Sequence, residues 1–285
     1  MQASGNNSIN KAARKYDFRM AKSLGQNFLA DEYAIEQIAE ASGAGPSDLV
    51  IEIGPGFGVL TRPLAERAGK VAAVEIDEKL IPILKAELFD LDNLTIINDD
   101  ILKVDINELI EELSWEGMER VRIVGNLPYY ITTPILLGLL ESKVPAESIT
   151  VMVQKEVAER IVSPPGSRDY GVLSVSLQYY CDCIPVLDVP RDCFVPAPNV
   201  DSAVVNLRLK TAPVKADSDE EFFACVKRAF SQRRKTLGNS LAGYKGLEKD
   251  ETSALLAGAG IEPSRRAETL SIEEFIALAN AYGKV

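Results

Sequence analysis

The run Gly125-Asn126-Leu127-Pro128-Tyr129 combines residue types that can act on an aromatic amine. The exocyclic amine of adenine is a poor nucleophile because its lone pair is delocalised into the ring. A site can help by accepting both amine hydrogens, one on the Asn126 side-chain oxygen and one on a main-chain carbonyl of the Leu127–Pro128 turn. That localises the lone pair toward a methyl donor. Pro128 removes a competing N–H and stiffens the turn, and Tyr129 offers a ring to stack on the base. Rate then comes from orientation and preorganised acceptors, not from a strong base. In isolation Asn-x-Pro-Tyr is a common turn, so its weight depends on where it falls.

Three further clusters bear on that question. Glu52-Ile53-Gly54-Pro55-Gly56-Phe57-Gly58 ends a short apolar run. Its glycines allow close backbone approach to a ligand and leave helix N-terminal amides exposed. A nicotinamide fingerprint needs G-x-G-x-x-G, and here Val59 occupies the third glycine's slot, which disfavours a dehydrogenase. Glu75, 21 residues beyond Gly54, can accept both ribose hydroxyl protons of an adenosine group. NAD and S-adenosylmethionine share that contact, so it does not separate them. At Asn98-Asp99-Asp100-Ile101, a carboxylate can read an adenine amine and the aliphatic neighbour can pack on the ring; Asp100 alone reads equally as a helix cap.

These clusters sit at the ends of predicted strands. The runs 49–53, 71–76, 94–98, 121–125 and 150–154 alternate with helical stripes such as Ile35/Ile38/Ala39/Ser42 and Leu60/Leu64/Ala68. Continuous apolar strands between amphipathic helices predict a mostly parallel sheet covered on both faces. Right-handed crossovers then gather the strand C-termini on one edge, where ligands bind. Two more strands are expected at 184–189 and 203–209, around a proline-rich loop at 195–198. Residues 1–22 read as a basic, poorly ordered arm, 23–210 as the main domain, 211–219 as a linker and 220–285 as a small all-helical domain.

The chain has 285 residues, four cysteines (181, 183, 193 and 225) and no histidine. Without imidazole every histidine triad and histidine general base is excluded, and the cysteines lack metal-ligand spacing, so no metal is expected. No apolar run is long enough to span a bilayer, and the N-terminus lacks a signal-peptide stretch; a cytoplasmic protein is expected. The net charge of −11 argues globally against a nucleic-acid partner, but the charges are segregated. From Phe222 to Leu247 there are six basic residues and no acidic one. Lys11, Arg14, Lys15, Arg19 and Lys22 face only Asp17. Such segregation builds a local positive surface on an acidic protein.

Taken together, these motifs resemble the ribosomal RNA adenine N6-dimethyltransferase family, in particular its bacterial small-subunit branch and more distantly the macrolide-resistance methyltransferases. The likeness covers nearly the whole chain, including 22–29 (KSLGQNFL), 154–160, 170–180, 194–202 (FVPAPNVDS) and 230–237 (FSQRRKTL). It implies a Rossmann-like class I methyltransferase sheet with a small helical C-terminal domain. It implies S-adenosylmethionine as cofactor, leaving as S-adenosylhomocysteine, held by Gln26, Asn27, Leu29, Gly54, Gly56, Glu75, Ile76, Asp100, Ile101 and Asn126. The target adenine, flipped out of its stack, is expected at Asn126, Leu127, Pro128 and Tyr129, with Phe194 stacking on it. Lys22, Lys227, Arg228, Arg233, Arg234 and Lys235 are the expected phosphate contacts. The implied partner is 16S rRNA in a 30S subunit or its precursor, the product is N6,N6-dimethyladenine at two adjacent adenines near the 3′ end, and the protein is expected to be a monomer. Tyr130 departs from the small or polar residue expected there. The alternative is a non-catalytic RNA-binding assembly factor on the same fold. A DNA adenine methyltransferase more often has an acidic residue where Asn126 stands.

Overall fold

A computed structural model describes residues 5–21, 24–212, 214–232 and 234–285. Among the described residues there are nine strands: β1 (Phe28–Leu29), β2 (Asp48–Ile53), β3 (Lys70–Glu75), β4 (Leu94–Asn98), β5 (Arg120–Asn126), β6 (Ala146–Gln154), β7 (Cys181–Val189), β8 (Phe194–Val195) and β9 (Ser202–Leu209). Seven form one sheet in the order β4-β3-β2-β5-β6-β9-β7. β2 to β6 run parallel and β9 joins β6 antiparallel. This is the mostly parallel sheet expected from the apolar runs, with the two later strands where the sequence placed them.

Helices cover the sheet: α1 (Gly5–Lys15), α2 (Glu32–Ser42), α3 (Thr61–Ala65), α4 (Ile81–Glu87), α5 (Ile106–Leu113) and α6 (Thr132–Glu141). Capping explains where two of them start. Asp31 accepts from the Ala34 amide at the head of α2, and Asp105 accepts from the amides of Asn107 and Glu108 at the head of α5. The stripe Leu60/Leu64/Ala68 is buried against Val50, Val71 and Val124 of the sheet. Polar atoms between β2 and β5 are satisfied by one ion pair, Asp48 with Arg122 Nε at 2.7 Å, almost wholly buried. Arg122 also donates to the Ser42 carbonyl and Ser148 Oγ, and Asp48 accepts from the Gly45 amide.

The N-terminal segment departs from the expected loose arm. Ile9, Ala12, Ala13 and Tyr16 recur at helical spacing, and they pack with Phe28, Phe57 and Leu84 in one cluster. Lys15 Nζ and the Tyr16 hydroxyl both bond Glu87. Lys11 and Arg14 stay exposed, so the segment is a basic amphipathic helix. The density of charge hid a stripe half of which is alanine.

The chain divides into two compact units. The first holds residues 1–158 and 183–209, the second residues 159–182 and 210–285. The second contains the C-terminal half of α7 (Lys155–Val162), with α8 (Val172–Tyr180), α9 (Asp219–Ala229), α10 (Leu237–Ser240), α11 (Lys249–Gly258) and α12 (Ile272–Tyr282). Assigning 159–182 to this unit differs from the boundary near 210 read from the linker. The reason is packing: Tyr170, Val175 and Tyr179 share a core with Phe222, Val226 and Phe275, and the Tyr179 ring stacks on Phe222 at 4.0 Å. No linker-like composition marks that crossing. Among the described residues, no helix is long and apolar enough to cross a membrane.

Candidate active site

The ends of β2, β3, β4 and β5, with residues 24–29, enclose a cleft of about 1060 Å3, its open mouth included. Its floor is the turn after β2. Gly54 and Gly56 take left-handed backbone, φ +69° and +60°, and a Cβ on Gly56 would lie 2.8 Å from the Phe28 ring. The tight turn aims the Gly56 amide at Glu75, which accepts it on Oε2 at 3.1 Å. Oε1 of Glu75 accepts the Asp77 amide at 2.9 Å. Only 5% exposed, Glu75 has its carboxyl pKa raised by burial, with those two amides opposing. An ionised carboxylate has about four acceptor positions, so both oxygens keep capacity toward the cleft.

Ile76, half exposed, and Ile101 form apolar walls beside Glu75, and Asp100 lies next to them. Asp100 Oδ1 accepts from the Leu102 amide at 3.1 Å. It is thus a turn cap and a cleft residue at once, which joins the two readings of its position.

Asn126 ends β5 with its amide oriented by the opposite wall. Its Nδ2 donates to the Asn27 carbonyl at 3.0 Å, while Oδ1 has no partner among the described residues. The next two carbonyls differ. Pro128 O already accepts from the Ile131 amide and the Thr132 hydroxyl, both at 3.1 Å. Leu127 O accepts from no described residue, while the Leu127 amide is spent on Met152 O. Two acceptors, Asn126 Oδ1 and Leu127 O, therefore stand in consecutive residues at the cleft. Tyr129 lines it too, half-buried, its hydroxyl 2.7 Å from Ser202 Oγ.

This geometry has known counterparts. The model of the family described as ribosomal RNA adenine dimethylase matches residues 17–284. The chain belongs to this family. Ribosomal RNA small subunit methyltransferase A of Clostridioides difficile (strain 630) is 50% identical over 278 residues, covering 97% of this chain and 96% of that protein. The protein of the same name from Bacillus cytotoxicus is 50% identical over 271 residues, 94% and 92% of the two chains. Among solved structures, the 23S rRNA methyltransferase ErmE superposes with a TM-score of 0.69 at 30% identity, over 90% of this chain and 99% of that one. A dimethyladenosine transferase from Plasmodium falciparum has the same fold, with a TM-score of 0.76 over 90% and 98% of the chains at 24% identity.

Not every expected site residue of this dimethylase-family chain reaches the cleft. Gln26 lines it but uses both ends of its amide on protein: Nε2 donates to Asp77 at 2.7 Å, and Oε1 accepts the Ala21 amide at 2.7 Å. It works as a clamp tying the Ala21 amide to Asp77, just beyond β3. Leu29 is buried at the cleft's inner wall. Phe194 is not brought in. It pairs with Leu29 across β1 and β8, is 2% exposed, and packs with Val189 and Val204 behind that wall. We expect Phe194→Ala to cost about 3–5 kcal/mol of stability by denaturant titration, as for a core aromatic. Unchanged stability with lost methylation would instead place the ring on the substrate.

In the helical unit, Lys227, Arg234 and Lys235 are exposed and make no ion pair among the described residues. Arg228 is half-buried and donates to the Ala242 carbonyl at 2.9 Å, a structural role. Lys245 is tied to Glu221 at 2.7 Å. Lys22 and Arg233 lie outside the described residues.

Two cleft features escaped the sequence reading. Ser202, which meets the Tyr129 hydroxyl, leaves no local signal. Glu52 does: an acidic residue inside the apolar run 49–53 is out of place on a buried strand. It is 1% exposed and lines the cleft.

Proposed function

We propose that this chain methylates the N6 amines of two adjacent adenines near the 3′ end of 16S rRNA, in a 30S subunit or its precursor, giving N6,N6-dimethyladenine. The observation that carries this reading is the pair of unused acceptors, Asn126 Oδ1 and Leu127 O, at the cleft of a dimethylase-family chain.

The residues fit S-adenosylmethionine. Glu75 keeps acceptor capacity for ribose hydroxyls, Ile76 and Ile101 supply apolar walls for a purine, Asp100 supplies a carboxylate beside them, and Gly54 and Gly56 keep side chains off the floor. When bound, this cofactor supplies a methyl group already activated as a sulfonium substituent. The protein's task is then to orient the amine. Asn126 and Leu127 accept its two hydrogens and localise the nitrogen lone pair. The Asn126 amide is held by the Asn27 carbonyl, so its oxygen is preorganised rather than free to rotate. Tyr129, anchored through Ser202, gives the base a fixed face. Lys227, Arg234 and Lys235 hold RNA phosphates, and the protein works as a monomer.

The test is incubation with labelled S-adenosylmethionine and unmethylated 30S particles, followed by mapping of modified nucleosides. The expected result is label in N6,N6-dimethyladenine at two neighbouring positions. Cofactor and RNA binding with no transfer would reveal an assembly factor instead.

A further inference from the structure

Glu52 is a buried acidic residue of the cleft that the mechanism above does not use. It sits one strand over from Glu75, near the end of β2, and is 1% exposed. Its Oε2 is buried without a hydrogen-bond partner among the described residues, as is the neighbouring Thr61 Oγ1. An ionised carboxylate in such a place needs a cation or several donors. The elements around it supply neither. On β3 the facing group is Glu75, itself acidic. On β5 the nearest cation of the same strand, Arg122, is committed to Asp48, and Asn126 is uncharged. On α3 the facing group is Thr61, since Arg62 pairs with Asp90. In residues 24–29 there are only uncharged side chains.

We propose that Glu52 is a proton-coupled counter-charge for a cationic ligand: neutral in the free protein, it releases its proton as the positive end of the ligand enters the cleft. In this step the carboxyl O–H bond breaks, the proton passes to solvent, and the carboxylate stays behind facing the ligand's positive charge. The inference rests on the reading that the cleft takes S-adenosylmethionine, which carries a sulfonium and an ammonium group.

Burial agrees with the geometry. It pushes the Glu52 carboxyl up to about 8, and the Glu75 charge adds to it. A carboxyl of that kind is mostly protonated at neutral pH and ionises readily when a cation arrives. It gives the cleft a preference for cationic ligands, because a ligand without positive charge leaves Glu52 protonated and gains nothing from it. The absence of histidine keeps the background low, since few other side chains titrate between pH 6 and 8.

The test is titration calorimetry of the full chain with S-adenosylmethionine in buffers of low and high ionisation enthalpy. At about pH 6.5 the ligand's own α-amine, which titrates near roughly 8, is already charged. We expect release of about one proton per ligand bound at that pH, declining as pH rises through about 8. In Glu52→Gln the release is lost. Binding heat with no buffer dependence would overturn the proposal while leaving the cofactor reading intact, and so would release that persists in Glu52→Gln. No binding heat at all would remove the cofactor reading and this inference with it. Should the glutamine variant not fold, the wild-type profile decides: release that does not fall between pH 7 and 9 overturns the assignment.

Discussion

Asn126→Ala lowers methyl transfer roughly a hundredfold or more, with the fold retained. Loss of one preorganised acceptor typically costs on the order of 3 kcal/mol of barrier. Here the substitution removes more than an acceptor. Asn126 Nδ2 is the hydrogen bond that joins the end of β5 to the Asn27 carbonyl, so alanine also loosens the wall opposite. Asn126→Asp separates the roles: it keeps acceptor oxygens but sets one against the Asn27 carbonyl, losing the tie. Single-turnover methylation of 30S particles, with cofactor affinity measured in parallel, distinguishes them. Near-normal transfer by the alanine variant would remove Asn126 from the centre of the mechanism.

Asp48→Ala acts far from the cleft and through stability. Arg122 is then left almost fully buried without its carboxylate, keeping only Ser42 O and Ser148 Oγ as partners. Breaking a buried pair by removing one member costs about 3–5 kcal/mol, because an uncompensated charge stays inside. Asp48 begins β2 and Gly54 follows its end, so the two positions are ~20 Å apart along the strand. The denaturation midpoint falls, while turnover per folded molecule stays near wild type. A drop in turnover without loss of stability would mean that the pair positions the site, not the sheet.

How legible the molecule was depends on which forces act locally. The five parallel strands could be read because burial leaves largely apolar runs, four of them ended by glycine, asparagine or aspartate. The candidate site residues stood at those ends, and Gly54, Glu75, Asp100 and Asn126 all line one cleft. What escaped depends on partners remote in sequence. Phe194 precedes a proline turn, which suited a stacking role, yet its pairing with Leu29 turns it into core. Gln26 belongs to a motif that suggested ligand contact, yet Asp77 and the Ala21 amide claim its amide. Residues 159–182 join the second unit through Tyr170 and Tyr179, aromatics whose destination no local pattern reveals. The choice of Leu127 O over Pro128 O needed the Thr132 hydroxyl in place.

The two-residue pairing of Phe28–Leu29 with Phe194–Val195 bears on synthesis. A ribosome making this chain releases every strand-end residue of the cleft before residue 130, but the stretch carrying Gln26 and Asn27 gains its β partner only once residue 195 has emerged. A nascent chain halted between those points holds that rim by the Gln26–Asp77 and Asn126–Asn27 hydrogen bonds, without the β ladder. The last fastening of the rim is thus deferred until most of the large sheet has been delivered.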